Sequence, residues 1–547
     1  MKKRRAVWIG AVAAIAIAVT GCSASGGGGG NAATGSSGGT LTYLEPQTWI
    51  TLYPPAGGFY PNGGVINQIT DRLLYQNPET LELEPWIAEK LPEVNENATE
   101  YTFTLRKGVT YSDGTPLDAA NVVKNIDLFG KGDPNRALPV SEAINNYDRG
   151  EVVDERTVKF FFSAPSPGFA QAVSTINSGL LSNDTLDRTS EEFGPGNATE
   201  IIGSGPFVIE NEKIGSELSL KTRADYAWAP ASRDNQGAAR IDGVNFIVAS
   251  EASVRVGTVV SGQADVARTI PAPDEGQFAA DGLELVAAPT NGVNNSLNFR
   301  FGNPLLQDVR VRQALIAGID RKTIVETLFT ASYPLATGVL AKSALGYVDT
   351  SQNYVFDQDR AKRLLDDAGW KPGSDGIREK DGQKLILTFN EALPQPRSKE
   401  VVTLIQEQLA QIGVGVKIFA GDQVAQDEAQ RSLDTVQVFH SMVGRADFDV
   451  LKSQLYSGNR NALVNLDPGT GDLYDPELDA MLAKIASVPT VEERQAASAA
   501  AQQRIADQAY VLPLFEEPQV FGLQSRVKGF ETESIGRPSF YDVTIER

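Results

Sequence analysis

One cysteine and one histidine stand in 547 residues, with three methionines beside them. That scarcity excludes most site chemistry. A zinc centre of cysteine and histidine cannot be assembled from it. A Ser-His-Asp or Cys-His mechanism would have to be built on His440 alone. There is no G-x-S-x-G turn, since Gly203-Ser204-Gly205 is too compressed to be one. No phosphate-cradling loop and no dinucleotide fingerprint appear. Carboxylate pairs are plentiful among 69 acidic residues and so single out nothing. A carboxylate-only hydrolase therefore has no support, and no cofactor, metal or catalytic residue is expected. Basic excess is also missing. The 49 lysines and arginines leave a net charge of −20, which opposes nucleic acid and anionic surfaces and is read here as serving solubility. A lone cysteine allows no internal disulfide, so stability must come from core packing, for which the chain is long enough.

What is present begins at the N-terminus. Lys2, Lys3, Arg4 and Arg5 precede an apolar run from Ala6 to Thr20. At about 15 residues it is shorter than the ~20 that span a bilayer, and it has the shape of a secretory signal. It ends in Val19-Thr20-Gly21-Cys22, which resembles the bacterial lipobox. Residues 1–21 are thus read as a signal peptide and Cys22 as the lipid attachment point. Two or more acyl chains would give stable anchoring outside the cell membrane. Residues 22–39 then read as the lipidated cysteine and a Gly/Ser-rich tether with a reach of roughly 20–25 Å.

Beyond the tether the patterns are those of layered α/β structure. "YTFTLRKGV" alternates Tyr101, Phe103 and Leu105, and "TVKFFF" alternates Val158, Phe160 and Phe162, so both read as half-buried strands. Asp118, Asp308 and Asp320 stand where helix caps are needed. Gly262 and Gly369 stand where helices stop. "VVTLIQEQLAQIGVGVKI" changes period after Gly413, from a helical face at Val402, Ile405, Leu409 and Ile412 to alternation at Val414, Val416 and Ile418. "YVLPLF" is a late apolar strand. No internal repeat is visible.

Several stretches, in this order, resemble the family 5 extracellular solute-binding proteins: "YTFTLRKGVTYSDGTPLDAANVV", "GSGPFVI", "SGQADVA", "NPLLQDVRVRQALIAGIDR", "DRAKRLLDDAGW" and "VLPLFEEPQVFG". These proteins are the oligopeptide and dipeptide receptors of ABC importers. The resemblance implies a type II periplasmic-binding-protein fold with two lobes, two hinge crossovers and an extra subdomain. The first lobe would be 40–290 with 515–547, the extra subdomain about 80–200, and the second lobe 291–514. It implies an extracytoplasmic monomer that captures a peptide and passes it to permease subunits. Metal chelates, glycans, opines and plant-derived compounds stay open as solutes, as does peptide sensing without transport.

The family's amine-binding aspartate lies in an "A-D-Y-x-x-P"-like motif. The nearest stretch here is "GRADFDV", which makes Asp447 the expected contact for a ligand amine, although no proline follows and Asp449 adds a second acid. Arg445 would meet a carboxylate. Ser204, in the glycine turn, and Glu45 and Trp49, in the stretch after the tether where the family's first strand lines the cleft, would be further contacts. His440 is expected to be a satisfied, half-buried histidine.

Overall fold

The computed structural model describes residues 38–546 apart from 394, 459–463 and 468. The signal and Cys22 lie outside the described residues. Three sheets organise the rest.

The largest sheet has seven strands, in the order Leu283–Pro289, Pro518–Gln524, Val266–Arg268, Thr40–Glu45, Gly243–Val248, Glu217–Thr222, Phe207–Lys213. A second has five, in the order Gly415–Phe419, Ile386–Asn390, Val438–Gly444, Gly292–Phe299, Val511–Phe515. A third sheet of four antiparallel strands, including Glu100–Thr104 and Thr157–Phe162, forms an added subdomain. Its alternation is as clean as the sequence suggests. Tyr101, Phe103, Val158 and Phe160 are buried and interleave around Phe169, whose ring lies 5.1 Å from Tyr101 and 5.4 Å from Phe160.

The helices begin where short polar side chains meet orphan N–H groups. Asp118 accepts from Asn121 N, Asp308 from Arg310 N and Asp320 from Thr323 N. Gly262 and Gly369 take φ of 76° and 90°, where a Cβ would be strained. The helix Ser398–Ala410 buries Val402, Ile405 and Leu409 and leads into the strand Gly415–Phe419. Among the described residues no helix is long and apolar enough to cross a membrane.

The chain passes twice between the two large sheets. It leaves the seven-stranded sheet at Pro289 and enters the five-stranded one at Gly292; it returns between Phe515 and Pro518. The two passages run side by side, with Pro289 paired to Pro518 on one side and Asn295 to Phe515 on the other. These are the two crossovers of a two-lobed molecule.

Candidate ligand-binding cleft

The crossovers bring polar side chains of both lobes together. On the first-lobe side, Arg268 grips Glu45 through both its Nε and Nη2, with Nε 3.0 Å from Oε1. Its Nη1 donates to Gln519 Oε1 at 2.8 Å. Tyr43 donates to the same carboxylate at 2.9 Å. The Glu45 charge is therefore fully matched. The Arg268 and Arg537 guanidiniums lie 5.1 and 4.7 Å from the centre of the Tyr60 ring.

On the second-lobe side, Asp447 and Asp449 form a buried quartet with two arginines. Arg494 Nη2 lies 2.8 Å from Asp447 Oδ1, and Arg445 Nη2 lies 2.7 Å from Asp449 Oδ1. Burial and the neighbouring Asp449 push the Asp447 carboxyl up, against the pull of the arginines. The quartet faces the added subdomain. A Cβ on Gly168 would stand 3.1 Å from Asp447 Oδ2. Gln76 Nε2, also from the first lobe, donates to Ala446 O at 3.0 Å. Between the two sides, Arg445 N donates to Asn291 O at 2.8 Å. Here a buried acceptor, Asn291 Oδ1, a buried hydroxyl, Thr290 Oγ1, and a buried donor, Arg445 Nε, have no hydrogen-bond partner among the described residues. Buried polar atoms are seldom left so.

Of the residues expected from the sequence, Glu45, Arg445 and Asp447 thus stand at the junction of the lobes. Glu45 and Trp49 share a shallow recess with Pro61, Lys213 and Phe246, but the Trp49 side chain is buried in the first-lobe core. Ser204 is elsewhere. Its fully buried hydroxyl accepts from Asp71 N at 2.9 Å. It supports a carboxylate that also receives Tyr226 Oη at 3.0 Å and Trp228 Nε1 at 2.8 Å and is pushed up to about 7 by burial.

His440 is fully buried, not half-buried, and it belongs to a chain of polar groups that ends at the crossover. Ala392 N donates to Ser398 Oγ at 2.8 Å, and Ser398 Oγ lies 2.8 Å from His440 Nδ1. His440 Nε2 meets Asn295 Oδ1, and Asn295 Nδ2 donates to Glu517 Oε2 at 2.9 Å. Burial pushes the imidazole down to about 4, so it is neutral. Since Asn295 Oδ1 can only accept, Nε2 carries the proton and the bare Nδ1 accepts from Ser398. Arg268, Asn295 and Glu517 were not singled out from the sequence. One signal was available: Glu516-Glu517 interrupts the largely apolar "VLPLFEEPQVFG".

Two sheets joined by paired crossovers make a two-lobed molecule whose polar groups, matched and unmatched, meet at the junction. The profile of the bacterial extracellular solute-binding proteins, family 5, matches residues 82–461. The chain belongs to that family, and is an extracytoplasmic receptor rather than an enzyme. It is 25% identical over 483 residues to the glutathione-binding protein GsiB of Salmonella typhimurium, covering 86% of this chain and 88% of that one. The oligopeptide-binding protein AppA of Bacillus subtilis, solved with a nonapeptide, superposes with a TM-score of 0.76 at 19% identity, covering 94% of this chain and 100% of AppA. NikA of Brucella suis, solved with Fe(III)-EDTA, gives 0.76 at 22% identity, over 93% of this chain and 100% of NikA. The type II two-lobed fold expected from the sequence is thus the fold observed. Among the described residues no group of three or more His, Cys, Asp and Glu is placed to hold a metal ion.

Proposed function

We propose that this protein is the lipid-anchored receptor of an ABC importer, closing as a monomer on a peptide or peptide-like solute and presenting it to the permease. The lobes in this reading are 40–290 with 515–547, carrying the added subdomain within about 80–200, and 291–514. Cys22 would hold the receptor at the membrane, and substituting it with serine should release the protein into the medium.

The carrying observation is the pairing of an unmatched acceptor, Asn291 Oδ1, with an unmatched donor, Arg445 Nε, at the junction of the lobes. A peptide backbone offers one N–H and one C=O per residue, which is the complement of that pair. Glutathione binding by GsiB and nonapeptide binding by AppA support the same ligand class.

One observation favours a second reading. Asp447, expected to meet the ligand amine, is already matched by Arg494. A non-peptide solute would need no such site, and AgaA, with the same fold at a TM-score of 0.71, was solved with agropinic acid. Native mass spectrometry of the chain begun after Cys22, purified without refolding, tests both. A ladder of peptide masses supports the first reading. A single non-peptide mass removes it and keeps the receptor.

A further inference from the structure

Glu517, like its neighbour Glu516, has no ion-pair partner among the described residues, unlike three other carboxylates at the junction of the lobes. Glu45 has Arg268, Asp447 has Arg494 and Asp449 has Arg445. Glu517 has no cation within 4.0 Å among the described residues; its one side-chain partner is the Asn295 amide. It sits in the second crossover, between the strands Val511–Phe515 and Pro518–Gln524. Gln519, near the start of the second of these, takes the Nη1 of Arg268, so the first-lobe polar cluster begins two residues along the chain from Glu517. The groups around it do not neutralise it. Arg268 is near but committed to Glu45. Tyr333 lies near both Glu517 and Glu275 and brings no charge. The Glu275 carboxylate uses one oxygen for Thr330 and Ser332 and leaves its buried Oε1 without a partner.

The protein invests in holding this carboxylate still. Asn295, His440 and Ser398 are 0%, 0% and 3% exposed, and their hydrogen bonds run in one direction, from Ser398 through His440 and Asn295 to Glu517. Asn390 clamps the histidine backbone from both sides, accepting His440 N at 2.6 Å and donating to His440 O at 3.2 Å. A buried polar chain of this length is costly unless every member is satisfied. Satisfying it here fixes the Glu517 carboxyl at the crossover, where burial pushes it up to about 7; a cation beside it would hold it charged.

We propose that Glu517 is the cation-recognising residue of the cleft, taking an ammonium or guanidinium group of the solute, and that Ser398, His440 and Asn295 are its positioning residues. This rests on the receptor reading but not on the solute being a peptide. A charge-assisted hydrogen bond from the solute would complete the carboxylate's shell.

The test is calorimetry and thermal shift on the chain begun after Cys22. The probes are trialanine, tetra-alanine, glutathione, agmatine and putrescine, each beside its N-acetylated counterpart. The expected result is that at least one free amine binds and its acetylated form binds at least tenfold more weakly. Glu517→Gln should lose at least tenfold in the same affinity. His440→Leu should erase the preference for the free amine, and His440→Gln, which keeps a donor in the Nε2 place, should restore it. If Glu517→Gln does not fold, Glu517→Asp and the acetylation contrast on the wild type decide. Binding only by agmatine or putrescine keeps this assignment and removes the peptide reading. Peptides that bind equally well when acetylated, or equally well to Glu517→Gln, overturn the assignment and keep the peptide reading. No binding by any amine overturns it too.

Discussion

Arg494 Nη2 lies 2.8 Å from Asp447 Oδ1, and the two residues, 47 apart in the chain, are both buried. The pair ties the helix Val491–Asp507 to the loop that begins "GRADFDV". Removing one partner leaves the other charge uncompensated in a dry site. Arg494→Met should therefore cost about 3–5 kcal/mol, and adding Asp447→Asn should recover much of it. Urea unfolding of the three variants measures this. Equal stability of wild type and Arg494→Met would show that the charges are not held as a pair.

Ser204 separates a structural role from a binding one. Its hydroxyl accepts the Asp71 N–H inside the first lobe. Ser204→Ala should lose about 1–3 kcal/mol, the cost of a buried unsatisfied donor, and leave solute affinity within twofold. A tenfold affinity loss at unchanged stability would place the residue in the site after all.

His440 sets an acid-side dependence of stability. Burial pushes its imidazole from 6.5 to about 4. Between those values the unfolded chain binds a proton that the folded one refuses, so stability rises with pH across that window. The group's contribution falls by about 3 kcal/mol on acidification from pH 7 to 4. His440→Gln lacks the titration, so the stability gap between wild type and variant should shrink by that amount over the same range. Asp71, pushed up to about 7, acts in the opposite sense in both proteins and cancels in the difference. A gap constant with pH would refute the neutral assignment.

Gly168 reports on closure. It has ordinary right-handed helical geometry, so alanine fits its backbone. The new Cβ would stand 3.1 Å from Asp447 Oδ2 and 3.5 Å from Arg494 Nη2, on the opposite lobe. The crowding exists only when the lobes meet. Gly168→Ala should weaken solute binding several-fold with little change in urea midpoint, and small-angle scattering should show a larger radius of gyration at saturating solute. Unchanged affinity would mean the two surfaces do not approach this closely on binding.

Local signals carried far into this fold. Asp118, Asp308 and Asp320 act within three residues of themselves, so their caps could be read from the chain alone. The alternation at Tyr101 and Phe103 needed only one buried face. The cleft was less legible because its partners are distant. The resemblance singled out Asp447, but not the Arg494 that pairs with it. Trp49 was expected to line the cleft, and nothing local says that its ring turns into the first-lobe core. Glu517 takes its meaning from Asn295, 222 residues earlier, and Asn295 takes its orientation from His440, 145 residues further along than itself. Sequence spacing carries no trace of such pairings, because tertiary contact alone creates them.

Pro289 and Pro518 face each other where the paired passages leave the seven-stranded sheet. Neither has an N–H, so neither can donate to the ladder at that rung. Flexing there sacrifices no amide donation, while shear along the strands would tear the bonds on either side. The two prolines mark a crease across both straps, and a molecule creased in that way folds about one line.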